Sequence, residues 1–315
     1  MTGLARAIKR VMPLPVKSAL RSARDRLRLR SARDHFRKRQ LFGRLAPLVP
    51  PIELMHDGPS TYLEFKQNSE EFLRLYIELC GLKPDERVLD VGCGIGRKTV
   101  LLTGYLSARG AYEGIDIVKS GVDWCSHNIS RKYPNFRFQL IDVYNKHYNP
   151  KGKQRASDYR FPFPDSSFDF VTLGSVFTHM LPRDTENYLA EVRRVLKREG
   201  RCLISWFLLN PESDGLIRSN KSALNLAFQV EAVCRTISVA NPESAIGYDE
   251  AYVLGLYERC GLKIRDRVHY GSWCGRAEFL SYQDLVLAFP QERCVRPLRS
   301  RHAVLPSVSM PRTTS

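Results

Sequence analysis

This sequence lacks any long apolar run. No stretch among its 315 residues approaches the roughly 20 consecutive apolar residues that a membrane-spanning helix requires. Its first residues also lack the uninterrupted apolar core of a secretory signal. We therefore expect a soluble, cytoplasmic protein, or one that lies peripherally on the cytosolic surface of a membrane without crossing it.

The eight cysteines lack the spacing that metal sites and disulfide frameworks show. They form no CxxC pair and no Cys/His arrangement typical of zinc. Several lie inside apolar runs, as Cys202 does, which favours free buried thiols in a reducing compartment. The carboxylates show no spacing that demands a metal either, so the sequence predicts no metal site.

Acidic residues are scarce near the N-terminus. Residues 1–45 contain fourteen Lys and Arg but only two acids, Asp25 and Asp34, and so carry most of the formal net charge of +16. We expect a basic arm that is partly helical or disordered. A solvated arm and an arm bound to an anionic membrane surface are the leading interpretations. Nucleic-acid phosphates and an organelle transit peptide are the less favoured ones.

The rest of the chain divides by composition into three parts. Residues 46–67 are rich in proline and glycine and are predicted to be a linker. Residues 68–290 form the predicted domain, with a helical insert at about 210–248. Residues 291–315 are rich in Arg, Pro and Ser, and we expect a loose tail. The oligomeric state is not indicated.

Short apolar runs alternate with amphipathic helical patterns in the predicted domain. Predicted strands cover 88–91, 112–117, 136–141, 168–173, 200–207, 263–270 and 284–289. Predicted helices cover 70–82, the stretch from the glycine-rich turn to 106, 120–132, 184–197 and 249–260. This alternation predicts an α/β, Rossmann-like, doubly wound sheet of seven mostly parallel strands with helices on both faces. The apolar positions from Leu224 to Ile237 predict a helix in the insert that covers an acceptor.

A glycine-rich turn follows the first predicted strand. Glycines stand at 92, 94 and 96, where the absence of a Cβ lets the backbone approach a ligand closely. Dinucleotide-binding turns have the pattern GxGxxG, whereas here the third glycine comes one residue early. Asp90 precedes the first glycine, and a carboxylate there would repel a diphosphate but suits a cationic sulfonium ligand.

The stretch from Asp90 to Gly96 resembles motif I of the class I S-adenosylmethionine-dependent methyltransferases. The resemblance covers roughly Glu71 to Trp206 and includes 161–171 and 191–200, which are similar to the segments around the fourth strand and before the fifth. It implies S-adenosylmethionine as cofactor, held at the glycine turn and at the ends of the next strands. The implied cofactor-binding residues are Asp90, Gly92, Cys93, Gly94, Gly96, Asp116, Ile117, Asp142, Val143 and Ser175.

Within this resemblance two acids have distinct roles. Asp116 ends the second strand and matches the acid that holds the ribose hydroxyls, since a carboxylate accepts two hydroxyl hydrogen bonds. Asp142 follows the third strand and matches the acid that accepts the adenine amino group. Glu199-Gly200 departs from the two glycines usual before the fifth strand.

The catalytic side is expected at the end of the fourth strand, where residues 174–180 read GSVFTHM. The Asn- or Asp-Pro-Pro-aromatic motif of enzymes that methylate nucleic-acid amino groups is absent here. The pair Thr178-His179 resembles small-molecule and saccharide methyltransferases, so His179 is the candidate general base, or alternatively a helix cap or packing residue. Weaker candidates are His269, Tyr270, Trp273 and Asp284.

Three functions stay open at this point. The leading hypothesis is methyl transfer from S-adenosylmethionine to a small-molecule or saccharide acceptor, on oxygen. The second is a module that binds the cofactor without catalysis. The third is an RNA or protein methyltransferase recruited through the basic arm.

Overall fold

The computed structural model describes residues 34, 36–55 and 58–291. Most of the basic arm and nearly all of the C-terminal tail therefore lie outside the described residues. The expectations stated for those two segments stay predictions.

The helices and strands follow one another in the alternation that the sequence predicts. The α-helices are α1 (Tyr62–Arg74), α2 (Lys119–Cys125), α3 (Pro182–Val195), α4 (Pro211–Arg218) and α5 (Glu250–Arg259). Residues 36–42 are also helical, and π-helical turns at Leu75–Leu79 and Ser126–Ser130 extend α1 and α2. Short 3₁₀ segments lie at Gly43–Leu48, Ile52–Leu54, Leu102–Gly104, Ala156–Asp158, Phe177–His179 and Pro242–Ser244. The strands are β1 (Arg87–Val91), β2 (Ala111–Asp116), β3 (Phe136–Leu140), β4 (Phe168–Leu173), β5 (Leu196–Trp206), β6 (Leu208–Leu209), β7 (Phe228–Glu231), β8 (Cys234–Thr236), β9 (Ile246–Asp249), β10 (Leu262–Ile264) and β11 (Asp284–Pro290).

Seven strands form the main sheet in the order β10-β11-β5-β4-β1-β2-β3. Strands β1 to β5 pair in parallel, whereas β11 is antiparallel to both β5 and β10. This confirms the predicted doubly wound, mostly parallel sheet. The chain runs outward from β1 to β3 and then returns to the other side of β1 at β4. That reversal opens a crevice at the carboxyl ends of β1 and β4, where such sheets bind ligands.

Helices cover both faces of the main sheet. Successive residues of a strand point to opposite faces, so neighbouring positions of β1 join different clusters. Val88 packs in the same cluster as Tyr76, which lies in the π-helical turn after α1. Leu89 packs in the other cluster, with Val192 of α3. Burial on both faces explains why the central strands read as continuous apolar runs.

Part of the segment predicted to be a linker packs onto the domain. Leu48 and Val49 are buried in the cluster that contains Phe65 of α1, and Phe42 meets the Phe65 ring edge-on with centroids 6.0 Å apart. Lys38 donates from Nζ to the carbonyl of Val49 at 2.9 Å. The division of the chain into arm, linker, domain and tail nevertheless stays a prediction.

The insert after β5 contains a small sheet as well as a helix. It contains α4, but β6, β9, β8 and β7 form a separate four-stranded sheet. The prediction of a helix from Leu224 to Ile237 is therefore wrong. Leu224, Leu226, Phe228 and Val230 are spaced two apart, which is the period of a strand and not of a helix.

Other boundaries differ from the prediction for local reasons. The helix predicted from the glycine-rich turn to residue 106 is absent, because residues 97–106 form turns and the 3₁₀ turn Leu102–Gly104 instead. Thr103 donates from its hydroxyl to the carbonyl of Val100 at 2.7 Å, and β-branched residues and glycine weaken a helix here. β10 ends at Ile264 rather than at Tyr270.

Candidate active site

A cavity of about 290 Å³ lies in the crevice between the carboxyl ends of the central strands. The turn after β1, the end of β2, the loop after β3 and the segment after β4 all contribute to its wall. The insert contributes Glu243, and the segment before α1 contributes Gly58. The sheet topology thus brings residues that are distant in sequence to one small space.

The glycine-rich turn forms one wall. Gly92, Gly94 and Gly96 have φ values of +75°, +57° and +85°, which side chains with a Cβ rarely adopt. A Cβ at Gly92 would lie 2.4 Å from Cγ2 of Val176. Glycine is therefore required here both by backbone conformation and by space. Gly92 and Gly94 line the cavity, whereas Gly96 lies behind the turn against Cys125.

Asp116 ends β2 and lines the cavity beside Ile117. Its Oδ2 accepts a hydrogen bond from the Gly94 amide and its Oδ1 accepts one from the Val118 amide, both at 2.7 Å. The carboxylate therefore joins the glycine-rich turn to the start of α2. A carboxylate has about four acceptor positions, so Asp116 can accept further hydrogen bonds from a ligand in the cavity.

Asp90 lies beneath the turn and does not line the cavity. Its carboxylate is fully buried, with Lys98 Nζ 2.6 Å from Oδ1 and the Tyr112 hydroxyl 2.7 Å from Oδ2. Lys98 also donates to the carbonyl of Gly92 at 2.8 Å. Burial raises the pKa of the Asp90 carboxyl, and the Lys98 charge opposes that rise. Lys98 was missed at the sequence level, where nothing distinguishes it from a surface lysine.

Two other predicted cofactor residues also lie outside the cavity wall. Cys93 is fully buried behind the turn, where burial raises its pKa well above the usual range of a thiol. Asp142 is exposed, and its main-chain carbonyl accepts from the amides of Lys153 and Gln154. Val143, the next residue, does line the cavity.

The end of β4 is held by a network of hydroxyl and amide groups. Ser175 lines the cavity with a φ of +65°, an unfavourable conformation for a residue other than glycine. Its amide donates to the Ser205 hydroxyl at 2.7 Å, and its own hydroxyl accepts from Gln283 at 2.9 Å. The Ser205 hydroxyl in turn donates to Gln283 Oε1 at 2.6 Å. Neither Ser205 nor Gln283 was singled out from the sequence.

His179 lines the cavity and lies in the 3₁₀ turn after β4. Its Nδ1 lies 2.9 Å from the main-chain carbonyl of Glu243. A carbonyl only accepts, so Nδ1 carries the proton in the neutral ring and the lone pair resides on Nε2. Burial lowers the pKa of His179 below its ordinary value. The ring is therefore neutral near pH 7, as a general base requires.

The charges around the cavity are mainly negative. Among the described residues that line it, Asp116, Asp184 and Glu243 carry carboxylates and Arg97 carries a guanidinium. Burial raises the pKa of both Asp184 and Glu243. Arg97 donates from Nη1 to Asn68 Oδ1 at 2.6 Å. This balance favours a ligand that carries positive charge together with one acidic group.

The weaker sequence candidates lie elsewhere. Asp284 is buried under the insert, where it accepts from the Leu208 amide and the Trp273 indole, each at 2.7 Å, and therefore supports the structure. His269 and Tyr270 line a separate groove beside α5. None of these four residues lines the cavity.

Two kinds of feature are absent from the described part of the chain. No group of three or more His, Cys, Asp or Glu side chains there has an arrangement that could hold a metal ion. None of the helices within it is both long and apolar enough to pass through a bilayer.

Known proteins resemble the part of the chain that builds this cavity. Residues 89–204 match the family model described as a methyltransferase domain, Methyltransf_11. The uncharacterized methyltransferase YcgJ of Bacillus subtilis is 30% identical over 135 residues, which is 42% of this chain and 46% of YcgJ. The O-methyltransferase cnsE of Penicillium expansum is 32% identical over 122 residues, covering 38% of this chain and 37% of cnsE.

A demethylmenaquinone methyltransferase of Symbiobacterium thermophilum is 28% identical over 137 residues, covering 42% of this chain and 47% of that protein. The chain thus spans less than half the length of each of these three relatives. The matched region begins in β1 and ends in β5, and so contains the glycine-rich turn, Asp116 and His179. The resemblance to the class I S-adenosylmethionine-dependent methyltransferases is thus confirmed for residues 89–204, which match a methyltransferase domain.

Proposed function

We propose that this chain transfers a methyl group from S-adenosylmethionine to an oxygen atom of a small-molecule or saccharide acceptor. One observation carries the proposal: the glycine-rich turn, Asp116 and His179 line the same cavity. The relatives share less than half their length with this chain, so activity and acceptor are inferred from the site.

The cavity wall fits the cofactor typical of this family. Gly92 and Gly94 leave a cradle against which the methionine part would lie, since a Cβ at Gly92 would fill space next to Val176. Asp116 would hold the ribose hydroxyls, and the apolar side chains of Ile117 and Val143 would contact the adenine. The excess of carboxylates suits a ligand with a sulfonium and an ammonium group. When bound, S-adenosylmethionine supplies an electrophilic methyl group.

His179 is suited to removing the acceptor's proton. With Nδ1–H donated to the Glu243 carbonyl, Nε2 could accept the hydroxyl proton as the acceptor oxygen takes the methyl group and the methyl–sulfur bond breaks, which would leave S-adenosylhomocysteine. The walls of the cavity hold the acceptor close and exclude water, and proximity and alignment contribute much of the acceleration of a displacement reaction. The proton then passes from Nε2 to solvent.

The lining of the acceptor end favours a compact acceptor with apolar surface. Tyr148, Met180 and Tyr188 line the cavity there, together with the carboxyl group of Asp184. One relative is named an O-methyltransferase, and others are named for demethylmenaquinone and a phytyl-naphthoquinone. A hydroxylated ring of that general size, or a saccharide unit, is consistent with this lining.

The test has two stages. Calorimetry of the full chain with S-adenosylhomocysteine should show binding, and absence of binding would reject the proposal. Incubation with methyl-labelled S-adenosylmethionine and a panel of phenols, quinols and saccharides should then place the label on oxygen, as read by mass spectrometry.

A pair of histidine variants isolates the base. His179→Gln should abolish transfer while S-adenosylhomocysteine still binds. The matched control is His127→Gln, which changes an exposed histidine in the turn after α2 and should leave transfer unchanged. Equal activity of both variants would remove His179 from the reaction.

A further inference from the structure

We propose that Glu243, which the insert contributes, is a positioning residue for His179 and holds it from two sides. Its main-chain carbonyl binds the ring, and its carboxylate binds the loop that fixes the backbone of His179. The role of His179 as base rests on the proposed function, whereas the positioning of its ring does not. The acceptor end of the cavity is therefore complete only when the insert is folded against it.

The first contact acts on the imidazole directly. Nδ1 of His179 lies 2.9 Å from the Glu243 carbonyl oxygen, which selects the tautomer with the proton on Nδ1. Tyr148 meets the same ring edge-on, with centroids 5.2 Å apart and an interplanar angle of 86°. The ring is thus held by the insert at its nitrogen and by the loop after β3 through Tyr148.

The second contact acts through the carboxylate of Glu243. Its Oε1 accepts from Asn145 Nδ2 at 3.1 Å, and its Oε2 accepts from the Lys146 amide at 2.5 Å. The same Asn145 Nδ2 donates to the His179 carbonyl at 2.8 Å. One amide group therefore joins the carboxylate of the insert to the backbone of the base.

Asn145 also shapes the loop that carries Tyr148. Its Oδ1 accepts from the amides of His147 and Tyr148, at 3.1 and 2.9 Å. Loss of the Glu243 carboxylate would release this turn, and with it the aromatic contact on the His179 ring. Loss of this carboxylate should therefore affect both the backbone of His179, through Asn145, and its ring, through Tyr148.

The turn that bears Glu243 is itself anchored to the sheet of the insert. Thr236 at the end of β8 donates from Oγ1 towards the carbonyls of Pro242 and Ala245, at 2.8 and 2.9 Å. The carbonyl that faces His179 thus has a fixed location relative to β8 and β9. This anchoring distinguishes a positioning device from a chance contact between two surface loops.

Two titratable side chains, His147 and Tyr148, contact the His179 ring, and Glu243 contacts it through its main-chain carbonyl. His147 lies parallel to it with centroids 6.2 Å apart, and its charge would disfavour a second positive ring. Burial is the main cause of the lowered pKa of His179. Opening the loop would admit water and move that pKa upward, towards the ordinary value.

The test uses the full chain with ¹⁵N-labelled histidine, without any acceptor. Long-range ¹H–¹⁵N correlation spectra report the tautomer of each neutral imidazole, and the His179→Gln variant identifies the His179 signals. The native chain should show His179 protonated on Nδ1. Glu243→Ala should shift it to a mixture of tautomers and raise its titration midpoint.

Two further variants make the test specific. Asn145→Asp keeps the oxygen that accepts from His147 and Tyr148 but replaces the amide donor, and it should reproduce the change seen in Glu243→Ala. Combining Asn145→Asp with Glu243→Gln supplies a new donor opposite the new acceptor and should recover part of the native His179 spectrum. Glu258→Ala, an exposed glutamate of α5, is the matched control and should change nothing.

The outcomes separate this inference from the proposed function. Should Glu243→Ala fail to fold, Asn145→Asp provides the same test from the opposite side. A native His179 tautomer and midpoint in the folded variants would overturn the positioning role, whether or not the chain binds S-adenosylhomocysteine. A native chain that shows the Nδ1–H tautomer but does not bind S-adenosylhomocysteine would reject only the proposed function.

Discussion

At the scale of single residues, buried charge beneath the glycine-rich turn is the most consequential feature. Lys98 and Asp90 are both buried and lie 2.6 Å apart. A buried ion pair stabilises little by itself, but removal of one partner leaves the other charge uncompensated. The pair also ties β1 to the turn, because Lys98 binds the carbonyl of Gly92.

We expect Lys98→Met to reduce the free energy of unfolding by about 3–5 kcal/mol, the usual effect of breaking a buried pair. The unpaired Asp90 should then be protonated in the folded chain. A carboxyl whose pKa is raised by folding loses stability as pH rises, so the loss should grow above about pH 4. Urea unfolding at several pH values measures this. The double variant Asp90→Asn with Lys98→Met should lose less, and a larger loss in the double would contradict the explanation.

Asp116→Ala should weaken S-adenosylhomocysteine binding at least tenfold, or about 1.4 kcal/mol. The change removes the acceptor for the Gly94 and Val118 amides and the proposed acceptor for the ribose hydroxyls. Calorimetry gives the affinity. Asp123→Ala, which changes an exposed carboxylate paired with Lys119, is the control. Unchanged affinity in Asp116→Ala would count against the cofactor site.

The lowered pKa of His179 predicts the pH dependence of methyl transfer. Protonation of Nε2 removes the base, so the rate should fall as the pH drops through the pKa of His179. Because burial lowers that pKa, the midpoint of the fall should lie below about 6.5, the ordinary histidine value. Initial rates with an accepted substrate measure it, and a midpoint above that value would contradict the assignment.

At the scale of elements, the glycine-rich turn has no room for a side chain at Gly92, whereas the 3₁₀ turn that contains Gly104 does have room for one. Gly92→Ala would place a Cβ 2.4 Å from Val176 in a backbone with φ of +75°. We expect at least a tenfold loss of S-adenosylhomocysteine affinity, measured by calorimetry, because the turn must move. Gly104→Ala is the matched control, since a Cβ there meets no atom within 4 Å. Equal affinities would show that the turn does not contact the cofactor.

Elements with strong local signals could be predicted from the sequence. β4 has the predicted bounds, because a buried apolar run between turn residues has few alternatives. The insert was predicted wrongly because its apolar residues at spacing two were assigned to a helix. Residues whose roles depend on tertiary contacts could not be found. Glu243 and Asn145 are 98 positions apart, and no local pattern indicates their hydrogen bond.

At the scale of the whole molecule, the basic charge is concentrated outside the described domain. Residues 1–33 contain ten Lys and Arg against one acid, whereas Leu41 and Phe42, in the helical segment that begins at residue 36, pack into the core. A truncation that starts at residue 36 therefore leaves the packed segment intact. A truncation at residue 36 therefore tests the arm better than one after residue 45, which would also remove the packed residues Leu41 and Phe42.

We expect the full chain to cosediment with vesicles that contain phosphatidylserine and not with pure phosphatidylcholine vesicles. Each basic residue near an anionic surface contributes about 1 kcal/mol, and added salt should weaken the binding. The chain truncated before residue 36 should not sediment. If the full chain instead binds RNA and does not bind these vesicles, nucleic acid would be favoured as the partner of the arm.

Each of the two sheets positions a different part of the proposed site. The main sheet supplies the glycine-rich turn and Asp116, while the smaller sheet at 208–249 supplies the grip on His179. Exchange of residues 208–249 alone should therefore change the preference for the acceptor without changing the binding of the cofactor. Related proteins could diversify their substrates by replacing that stretch alone, provided that each replacement restores a partner for the imidazole.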